Sequence, residues 1–288
     1  MRAQRWLMVG TLGAMIGMVP GMKPAFAAQT PPATPAPATP APAAPAAKPQ
    51  TKKAAPTAMA ASNANQLTDA EKKEGWTLLF DGKTMNGWRA YKKASKEAGG
   101  AAKTSNGRWV VQAGALCLPA GTGQDTHGAR DIVSDGTYKS FDLKWQWKIA
   151  SGGNSGLKYF VTEKHESAIG HEYQMIDDDK HPDAKIGPHR ATGAFYDVMP
   201  PNASAKKLKP IGEWNDSRVV VSGNHVEHWL NGAKVLEYTL DTPELKAQID
   251  KSKFKAIEDF DKALDAHILL QDHGDEVCFR GVKILAKK

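Results

Sequence analysis

The segment Asn154–Asp179 contains the side chains best suited to chemistry. Polar and apolar residues alternate in each half of it, which predicts two strands joined by a loop, because successive strand side chains point to opposite faces. The alternation puts Lys158 and Phe160 on one face of the first strand, and Glu172 and Gln174 on one face of the second. This pattern is typical of a sheet with a core on one side and a cleft on the other.

Glu172 is a candidate general base. A carboxylate beside apolar neighbours is a stronger base than one in water, which suits proton abstraction near neutral pH. His273 is a second candidate, because it lies where a predicted strand meets a turn, and such positions often carry functional groups. Each has a structural alternative, since a strand Glu is often exposed or salt-bridged and a His at a turn often caps it.

Further side chains suit the binding of a sugar. Amides and carboxylates offer planar, bidentate hydrogen bonds, and aromatic rings stack on the C–H face of a sugar. Most tryptophans of a sandwich belong to its core, so only some of them can serve this purpose. The candidate polar contacts are Lys158, Gln174 and Gln271, and the candidate stacking groups include Tyr196, Trp214 and Trp229.

An acidic run follows the second strand of the central segment. The run Asp177-Asp178-Asp179, with His181 and Asp183 after it, could bind a divalent cation through oxygen ligands. A solvated acidic turn is the alternative, because the spacing does not match an EF-hand loop. The sequence also has no nucleophile elbow, no HExxH and no phosphate-binding loop.

The elements that must position these residues are short antiparallel strands. Residues 141–149 show the clearest alternation in the chain, and residues 109–118 read as a hairpin. Asn231-Gly232, between two alternating runs, predicts a second hairpin. Helix signals are confined to a capping box at residues 68–71 and to Thr242-Pro243. Many short strands and few helices predict an all-β sandwich or jelly roll.

Residues 1–27 are predicted to be a secretory signal peptide. Arg2 and Arg5 precede a short apolar run, and Ala25-Phe26-Ala27 supplies small residues for a signal peptidase. The apolar run is too short for a membrane span. We therefore expect a mature protein without a membrane span, exported to a bacterial periplasm or secreted.

Residues 28–66 are predicted to be a disordered linker, because they are rich in Ala, Pro and Thr and hold nine of the 18 prolines. They could associate the protein with the cell envelope, and they leave residues 67–288 as the folded domain. Six basic and no acidic residues precede Leu67, so the net charge of +7 falls to +1 for the domain. A nearly neutral domain without a basic block argues against nucleic-acid binding.

The chain has two cysteines, Cys117 and Cys278. Both fall in predicted strands near the two ends of the domain, and in an oxidising compartment they could pair. Two separate buried thiols are the alternative. Without CxxC spacing the pair does not indicate a zinc site.

Short motifs along the domain, in this order, resemble the 3-keto-disaccharide hydrolase domain family. They are GWTLLFDGK at 75–83, GW at 87–88, GNSGLKY at 153–159, EYQMID at 172–177, TGAFYD at 192–197, GEWN at 212–215, HWLNG at 228–232 and LQDHG at 270–274. The fold of that family is similar to the concanavalin A-like lectin and glucanase sandwich. The resemblance runs from about residue 75 to residue 284 and implies this fold, with short peripheral helices.

The resemblance implies cleavage of glycosides that are already oxidised at C3 of the sugar. A ketone at C3 acidifies the proton on C2, so a base can remove it, and the C1 substituent then leaves by elimination before water adds to the enone. This route needs one base, donors for the enolate oxygen and an acid for the leaving group. Ordinary glycosidases use two carboxylates instead.

The matched motifs suggest roles for the candidate residues. We predict Glu172 or His273 as the base, and Tyr196 as the acid or a stacking platform. A divalent cation could replace the enolate donors as a Lewis acid. The predicted contacts to the enolate and the hydroxyls are Lys158, Gln174 and Gln271.

Two readings other than an enzyme are consistent with the same elements. A non-catalytic carbohydrate-binding module can use this fold, since fold does not imply function. Such a module would present a flat aromatic platform without titratable partners, whereas an enzyme would have a buried ionisable cluster in a cleft. A structural envelope protein would have no well-formed polar pocket.

Overall fold

The computed structural model describes residues 64–92, 108–121 and 131–287. The predicted signal peptide and nearly all of the predicted linker lie outside the described residues. Ala64 is buried, and the side chain of Asn65 donates to Gly114 O at 2.7 Å and accepts from Gly281 N at 2.8 Å. The folded part therefore includes residues that the sequence assigned to the linker. Among the described helices, none has the length and apolar character to cross a membrane.

The described residues form two antiparallel sheets, with two short helices, α1 (Asp69–Glu74) and α2 (Pro243–Ile249). The strands are β1 (Thr77–Leu78), β2 (Trp88–Ala90), β3 (Val110–Gln112), β4 (Ala115–Leu118), β5 (Ile132–Tyr138), β6 (Ser140–Ile149), β7 (Asn154–Val161), β8 (His171–Ile176), β9 (Asn215–Ser222), β10 (His225–Leu230), β11 (Ala233–Thr239), β12 (Ala266–Leu270) and β13 (Val277–Lys287).

The larger sheet has eight strands in the order β11-β10-β9-β6-β13-β4-β3, with β1 also paired to β13. The smaller sheet has five, in the order β2-β5-β12-β7-β8. Strands that are neighbours in space are often distant in sequence, as in a jelly roll. The all-β, concanavalin A-like sandwich with short peripheral helices is therefore confirmed.

The core lies between the two sheets and is built on the alternation of β6. The predicted inward residues of that strand are all buried, and Trp145 packs edge-on against Tyr173 of the smaller sheet with ring centroids 5.0 Å apart. Trp145 Nε1 also contacts the sulfur of Met175 at 3.5 Å. Trp147 Nε1 donates to Ser217 Oγ at 2.9 Å. The indole N–H groups of Trp145 and Trp147 therefore both have partners inside the core.

The structure contains both predicted helix caps and a pairing of the two cysteines. The side chain of Thr68 accepts from Glu71 N, and Glu71 completes the capping box by accepting from Thr68 N at 3.0 Å. Thr242 caps α2, with Pro243 as its first residue. Cys117 and Cys278 lie opposite each other on β4 and β13 and form a disulfide.

The alternation predicted for β7 is interrupted at Phe160. Its backbone has φ 61°, and the register between β7 and β12 shifts beside it, which marks a β-bulge. The bulge turns the Phe160 ring into the core, where it lies 5.1 Å from the ring of Tyr159. The prediction that Phe160 shares a face with Lys158 is therefore wrong.

Candidate active site

A cavity of about 350 Å³ opens on the face of the smaller sheet that is turned away from the core. It collects most of the polar residues singled out in the sequence, and its volume lies within the range of small-molecule sites. Its residues come from β7, β8, the end of β12, the loops before and after β8, the residue before β5 and the segment after α2. The lining residues are Asp131, Asn154, Lys158, Ser167, Ala168, Ile169, Gly170, Glu172, Gln174, Tyr196, Lys253, Phe254, Ile257, Gln271 and His273.

The floor of the cavity follows the strand register. Gly156 of β7 pairs with Gln174 of β8, and on its other side Gly156 O accepts from Gln271 N at 3.0 Å. Asp131, just before β5, accepts the backbone N–H of Asp272 at 2.8 Å. These contacts align four residues in one row across the sheet. The row consists of Asp131, Gln271, Gly156 and Gln174. Because Gly156 has no side chain, the floor leaves room at its middle for the carboxyl group of Glu172.

Glu172 and Lys158 form the next row and lie opposite each other on β8 and β7. Lys158 Nζ is 3.5 Å from Glu172 Oε2 and donates to Ala168 O at 3.0 Å. Both side chains are nearly inaccessible to solvent, at 12% and 6% exposure. A buried carboxylate beside an ammonium group can take up a proton from a substrate carbon while the ammonium stabilises developing negative charge.

His273 lines the cavity beside Asn154 and belongs to a small cluster of possible metal ligands. Its ring lies 5.8 Å from that of His181, and its Nδ1 is 3.8 Å from Asp275 Oδ2. One ligand atom from each of His181, His273 and Asp275 lies within 4.8 Å of the others. Burial, and then the neighbouring His273, lower the pKa of His181.

The bonds of His181 oppose its use as a metal ligand. Its Nδ1 accepts the backbone N–H of Asp183 at 3.1 Å. The neutral ring then carries its proton on Nε2, so neither nitrogen offers a free lone pair while this bond is intact. The cluster would have to rearrange before it could bind a cation.

The acidic run that could have bound a cation is used for structure instead. Asp177 accepts the backbone N–H groups of Gly152, Asp179 and Lys180, and these bonds lower its pKa against the opposing effect of burial. Asp178 is bonded to Lys206 Nζ at 2.6 Å. These carboxylates are held by protein donors, so the arrangement corresponds to an acidic turn.

Asp183 is likewise committed, because it accepts from Arg190 at 2.5 Å and from the Tyr196 hydroxyl at 2.8 Å. Burial, and then Asp183 itself, raise the pKa of Tyr196 well above its usual value. A phenol with a raised pKa is a weak acid whose proton is already bonded. The geometry therefore favours Tyr196 as a platform for stacking rather than as the acid for the leaving group.

Lys253 was not singled out by the sequence, because it lies in the irregular segment after α2. Its Nζ lies over the ring of Tyr196, 4.3 Å from the centroid, at the mouth of the cavity. Partial burial lowers the pKa of Lys253, although Glu172 opposes this. An ammonium group with a lowered pKa is a better proton donor than an ordinary lysine, so Lys253 is a candidate acid.

Asp131 and Asn154 are two further cavity residues that sequence reasoning missed. Burial raises the pKa of Asp131 to about 6, and the nearby Lys158 opposes this shift. Asp131 precedes a strand with little alternation, and Asn154 was seen only as the start of β7. The one sequence signal that could have found Asp131 and Asn154 is that each is a polar residue at the end of a strand.

Trp214 and Trp229 are not among the cavity residues. Trp214 stacks with Arg280, whose guanidinium carbon is 4.0 Å from the ring centroid, and packs by the Cys117–Cys278 disulfide. Trp229 lies on β10 of the larger sheet and donates to Glu227 at 2.9 Å. The structure therefore brings together the six other candidates, which are Lys158, Glu172, Gln174, Tyr196, Gln271 and His273.

Comparison with known proteins assigns a family to this site. The family described as the 3-keto-alpha-glucoside-1,2-lyase-like domain matches residues 75–285. The chain belongs to this family. The matched range includes every residue that lines the cavity and all but the last two residues of the two sheets.

Individual relatives of the lyase-like domain agree with this assignment. The 3-keto-disaccharide hydrolase of Bacteroides thetaiotaomicron is 33% identical over 238 residues, which are 73% of this chain and 78% of that protein. A crystal structure of a candidate glycosyl hydrolase from Parabacteroides distasonis is 34% identical with a TM-score of 0.66, and the match covers 78% of this chain and 99% of that one. A second structure from the same organism, 23% identical with a TM-score of 0.52, covers 74% and 99% and supports the fold.

Proposed function

We propose that this protein hydrolyses glycosides whose sugar carries a ketone at C3, such as 3-keto-disaccharides. The chain is a glycoside-cleaving enzyme by family, and the nature of its relatives supports a 3-keto sugar as substrate. The observation that carries the proposal is the buried pair of Glu172 and Lys158 at 3.5 Å in the floor of the cavity. A base beside a cation is what the removal of a proton next to a ketone requires.

In the proposed reaction Glu172 takes the proton from C2, and the electron pair moves toward the C3 oxygen to give an enolate. The enolate then re-forms the ketone as the C1–O bond breaks, which leaves a C1=C2 double bond and a leaving group that takes up a proton. Water adds at C1 and C2 regains a proton. Lys158 stabilises the enolate oxygen, and Lys253 supplies the proton to the leaving group.

His273 is the second candidate base, and the structure supports it less. Its ring is at the edge of the cavity and close to both Asp275 and His181. Among the described residues, Lys158 is the one Lys or Arg within ion-pair distance of Glu172. We therefore assign the base to Glu172 and place His273 beside the leaving group or the water.

A carbohydrate-binding module is the alternative from another class, and the cavity disfavours it. The expected mark of such a module is a flat aromatic platform without titratable partners. The cavity instead brings together Lys158 and the buried carboxylates of Asp131 and Glu172, and among the described residues its only Tyr, Phe or Trp lining residues are Tyr196 and Phe254. Burying charges is costly unless they are paired or used, so this composition favours catalysis.

The test is to incubate the purified protein with 3-keto-trehalose and with unoxidised trehalose, and to follow released glucose. We expect glucose only from the keto sugar, and a loss of at least about 100-fold in kcat for Glu172→Gln, since a general base contributes about 10²–10⁴-fold. His273→Gln is the matched variant for the second candidate. Parallel reactions with a chelator test whether a cation takes part. Turnover of Glu172→Gln close to that of the wild type would refute the assignment of the base.

We also propose that the protein is exported. The support is the N-terminal sequence, with its two arginines and apolar run, and the disulfide between Cys117 and Cys278, which is typical of oxidising compartments. Cell fractionation should place the protein in the periplasm or the medium, with a mature N-terminus at Ala28. A product in the cytoplasm that retains Met1 would contradict export.

A further inference from the structure

We infer that Asp131, Asn154 and Gln271 form one wall of the cavity, that this wall binds hydroxyl groups of the substrate sugar, and that it thereby fixes which way the ring faces. We call these three residues the acceptor wall. The inference rests on the proposed function, because it concerns how the same cavity holds a 3-keto sugar.

Each residue of the acceptor wall has a buried oxygen that receives no hydrogen bond within the described part of the chain. These oxygens are Asp131 Oδ2, Asn154 Oδ1 and Gln271 Oε1. Asp131 and Asn154 are 1% and 3% exposed. Buried polar atoms without partners are rare in native proteins, because each has given up its hydrogen bonds to water. All three residues line the cavity, so a ligand there can supply the missing donors.

The protein holds the wall in place by other hydrogen bonds. Asp131 uses its Oδ1 to accept from Asp272 N at 2.8 Å, which leaves Oδ2 for a ligand. Gln271 is anchored through its backbone N–H, which donates to Gly156 O at 3.0 Å. The backbone N–H of Asn154 is also bonded, at 2.9 Å. The Asp131 carboxylate and the backbones of Asn154 and Gln271 are therefore fixed before a ligand arrives, which lowers the cost of reorganisation on binding.

The charge of the wall decides which part of a keto sugar it can bind. The pKa of Asp131 is about 6, with Lys158, Glu172 and Asp272 as the charged groups that face it, so this carboxyl is mostly ionised at pH 7. An ionised carboxylate accepts hydrogen bonds but donates none, and the oxygens of Asn154 and Gln271 also only accept. The three unpartnered oxygens therefore attract hydroxyl groups and repel a ketone oxygen, and they repel an enolate more strongly.

The cations of the cavity belong to residues outside the wall, although Lys158 is near enough to oppose the raised pKa of Asp131. Lys158 is beside Glu172 on the β8 side, and Lys253 is at the mouth above Tyr196. A 3-keto sugar can satisfy both sides in one orientation, with its ketone toward the lysines and its free hydroxyls on the acceptor wall. C2, which is bonded to the ketone carbon, then faces Glu172.

The sharpest variant is Asp131→Asn. The amide can keep its oxygen on Asp272 N, and it places an NH₂ donor where the free acceptor oxygen was. We expect KM for 3-keto-trehalose to rise about tenfold with kcat changed less than about threefold, because a hydrogen bond from the substrate to a charged acceptor is lost. Gln271→Met, which removes the acceptor and keeps the length of the side chain, should act in the same direction. Asp135→Asn, an exposed carboxylate on β5 outside the cavity, is the matched control.

Substrates that lack one hydroxyl separate binding from a structural effect. We expect one of the 4-deoxy and 6-deoxy analogues to raise KM of the wild type about tenfold and to raise KM of Asp131→Asn much less, because the contact is already lost. The inference is overturned if KM of Asp131→Asn and Gln271→Met matches that of Asp135→Asn, or if each analogue affects wild type and variant equally.

The binding role of the acceptor wall can be tested even if the protein does not catalyse the proposed reaction. If the wild type cleaves no keto sugar, binding of glucose and trehalose is measured by titration calorimetry. Weaker binding to Asp131→Asn than to Asp135→Asn would then support the wall without the reaction. Equal binding to the two variants, or no binding to the wild type, would reject it.

Discussion

Gly156 lies directly under Glu172, and the carboxyl group of Glu172 fills the space that a side chain at residue 156 would need. A β carbon built on Gly156 would be 2.8 Å from the carboxyl carbon of Glu172, closer than real β carbons come. The two residues sit on neighbouring strands, two pairs apart in the register and therefore on the same face of the sheet. The position of the candidate base therefore depends on the absence of a side chain on the next strand.

Gly156→Ala should displace the Glu172 carboxylate and lower kcat by about tenfold or more, because misplacement of a catalytic group by about 1 Å costs up to about 10² in rate. The thermal midpoint should change little, since the Glu172 side chain can move. Steady-state kinetics on 3-keto-trehalose is the measurement. In the double variant with Glu172→Gln, the alanine should have almost no further effect, and two additive losses would contradict the explanation.

Lys253→Met should lower kcat more than it raises KM, because its ammonium group is proposed to protonate the leaving group. We expect a loss of about 10²-fold for a natural glycoside, within the usual range for general acids. The loss should be much smaller for a 3-keto glucoside with a nitrophenol leaving group, which departs without a proton. Lys251→Met, two residues earlier, exposed and outside the cavity, is the control. Equal losses on both substrates would rule out this role.

Two buried histidines should make the fold sensitive to acid. Burial lowers the pKa of His171 to about 3 and that of His228 to about 4. Between them, Tyr159 and Tyr238 connect the rings through contacts of 2.6–2.8 Å. Protonation of one histidine would add a donor to this row of four side chains and so gain about one hydrogen bond. That bond is worth about 1 kcal/mol, which is less than the cost of burying the new charge.

The direction of this pH dependence follows from the difference in protons bound by the unfolded and folded chains. Below pH 6.5 the unfolded chain binds protons on these histidines that the folded chain does not, so the free energy of unfolding falls as the pH falls from about 6.5 toward 4. Each histidine contributes a slope of up to about 1.4 kcal/mol per pH unit. Urea unfolding at pH 7, 6 and 5 measures it. His228→Gln should reduce the slope, and His225→Gln, an exposed residue, should leave it unchanged.

Reduction of the Cys117–Cys278 disulfide should lower the free energy of unfolding by about 3–5 kcal/mol. The two cysteines are 161 residues apart in sequence, and the cross-link restricts the unfolded chain between them. Urea unfolding with and without dithiothreitol is the comparison. A variant with both cysteines changed to alanine should be insensitive to dithiothreitol and should resemble the reduced wild type.

Much of the fold was predictable because local and tertiary signals agreed. The alternation of residues 141–149 gave β6, and the turn residues Asn231-Gly232 gave the hairpin of β10 and β11. β5 was missed because Ser134, Asp135 and Gly136 occupy its middle, so hydrophobic periodicity is weak there. The bulge at Phe160 was also beyond a simple period of two, because it comes from pairing with a distant strand.

The candidate site was predictable where its residues lie on regular strands. Glu172 and Gln174 followed from the alternation of β8, and Gln271 and His273 from the end of β12. Lys253 could not be found this way, since only the packing of an irregular segment brings it to the cavity. Trp214 and Trp229 had the right chemistry for stacking on a sugar, but the larger sheet carries them elsewhere.

The alternation of β8 separates two kinds of constraint within six residues. His171, Tyr173 and Met175 belong to the packed interior, whereas Glu172 and Gln174 face the cavity. Substitution of Gln174 can change sugar preference without repacking the interior or removing the proposed base. Insertion or deletion of a single residue exchanges the two sets and damages both. New specificities in this strand are therefore accessible to a library of point substitutions at position 174, with the proposed base at 172 kept, and inaccessible to one that varies the length of the strand.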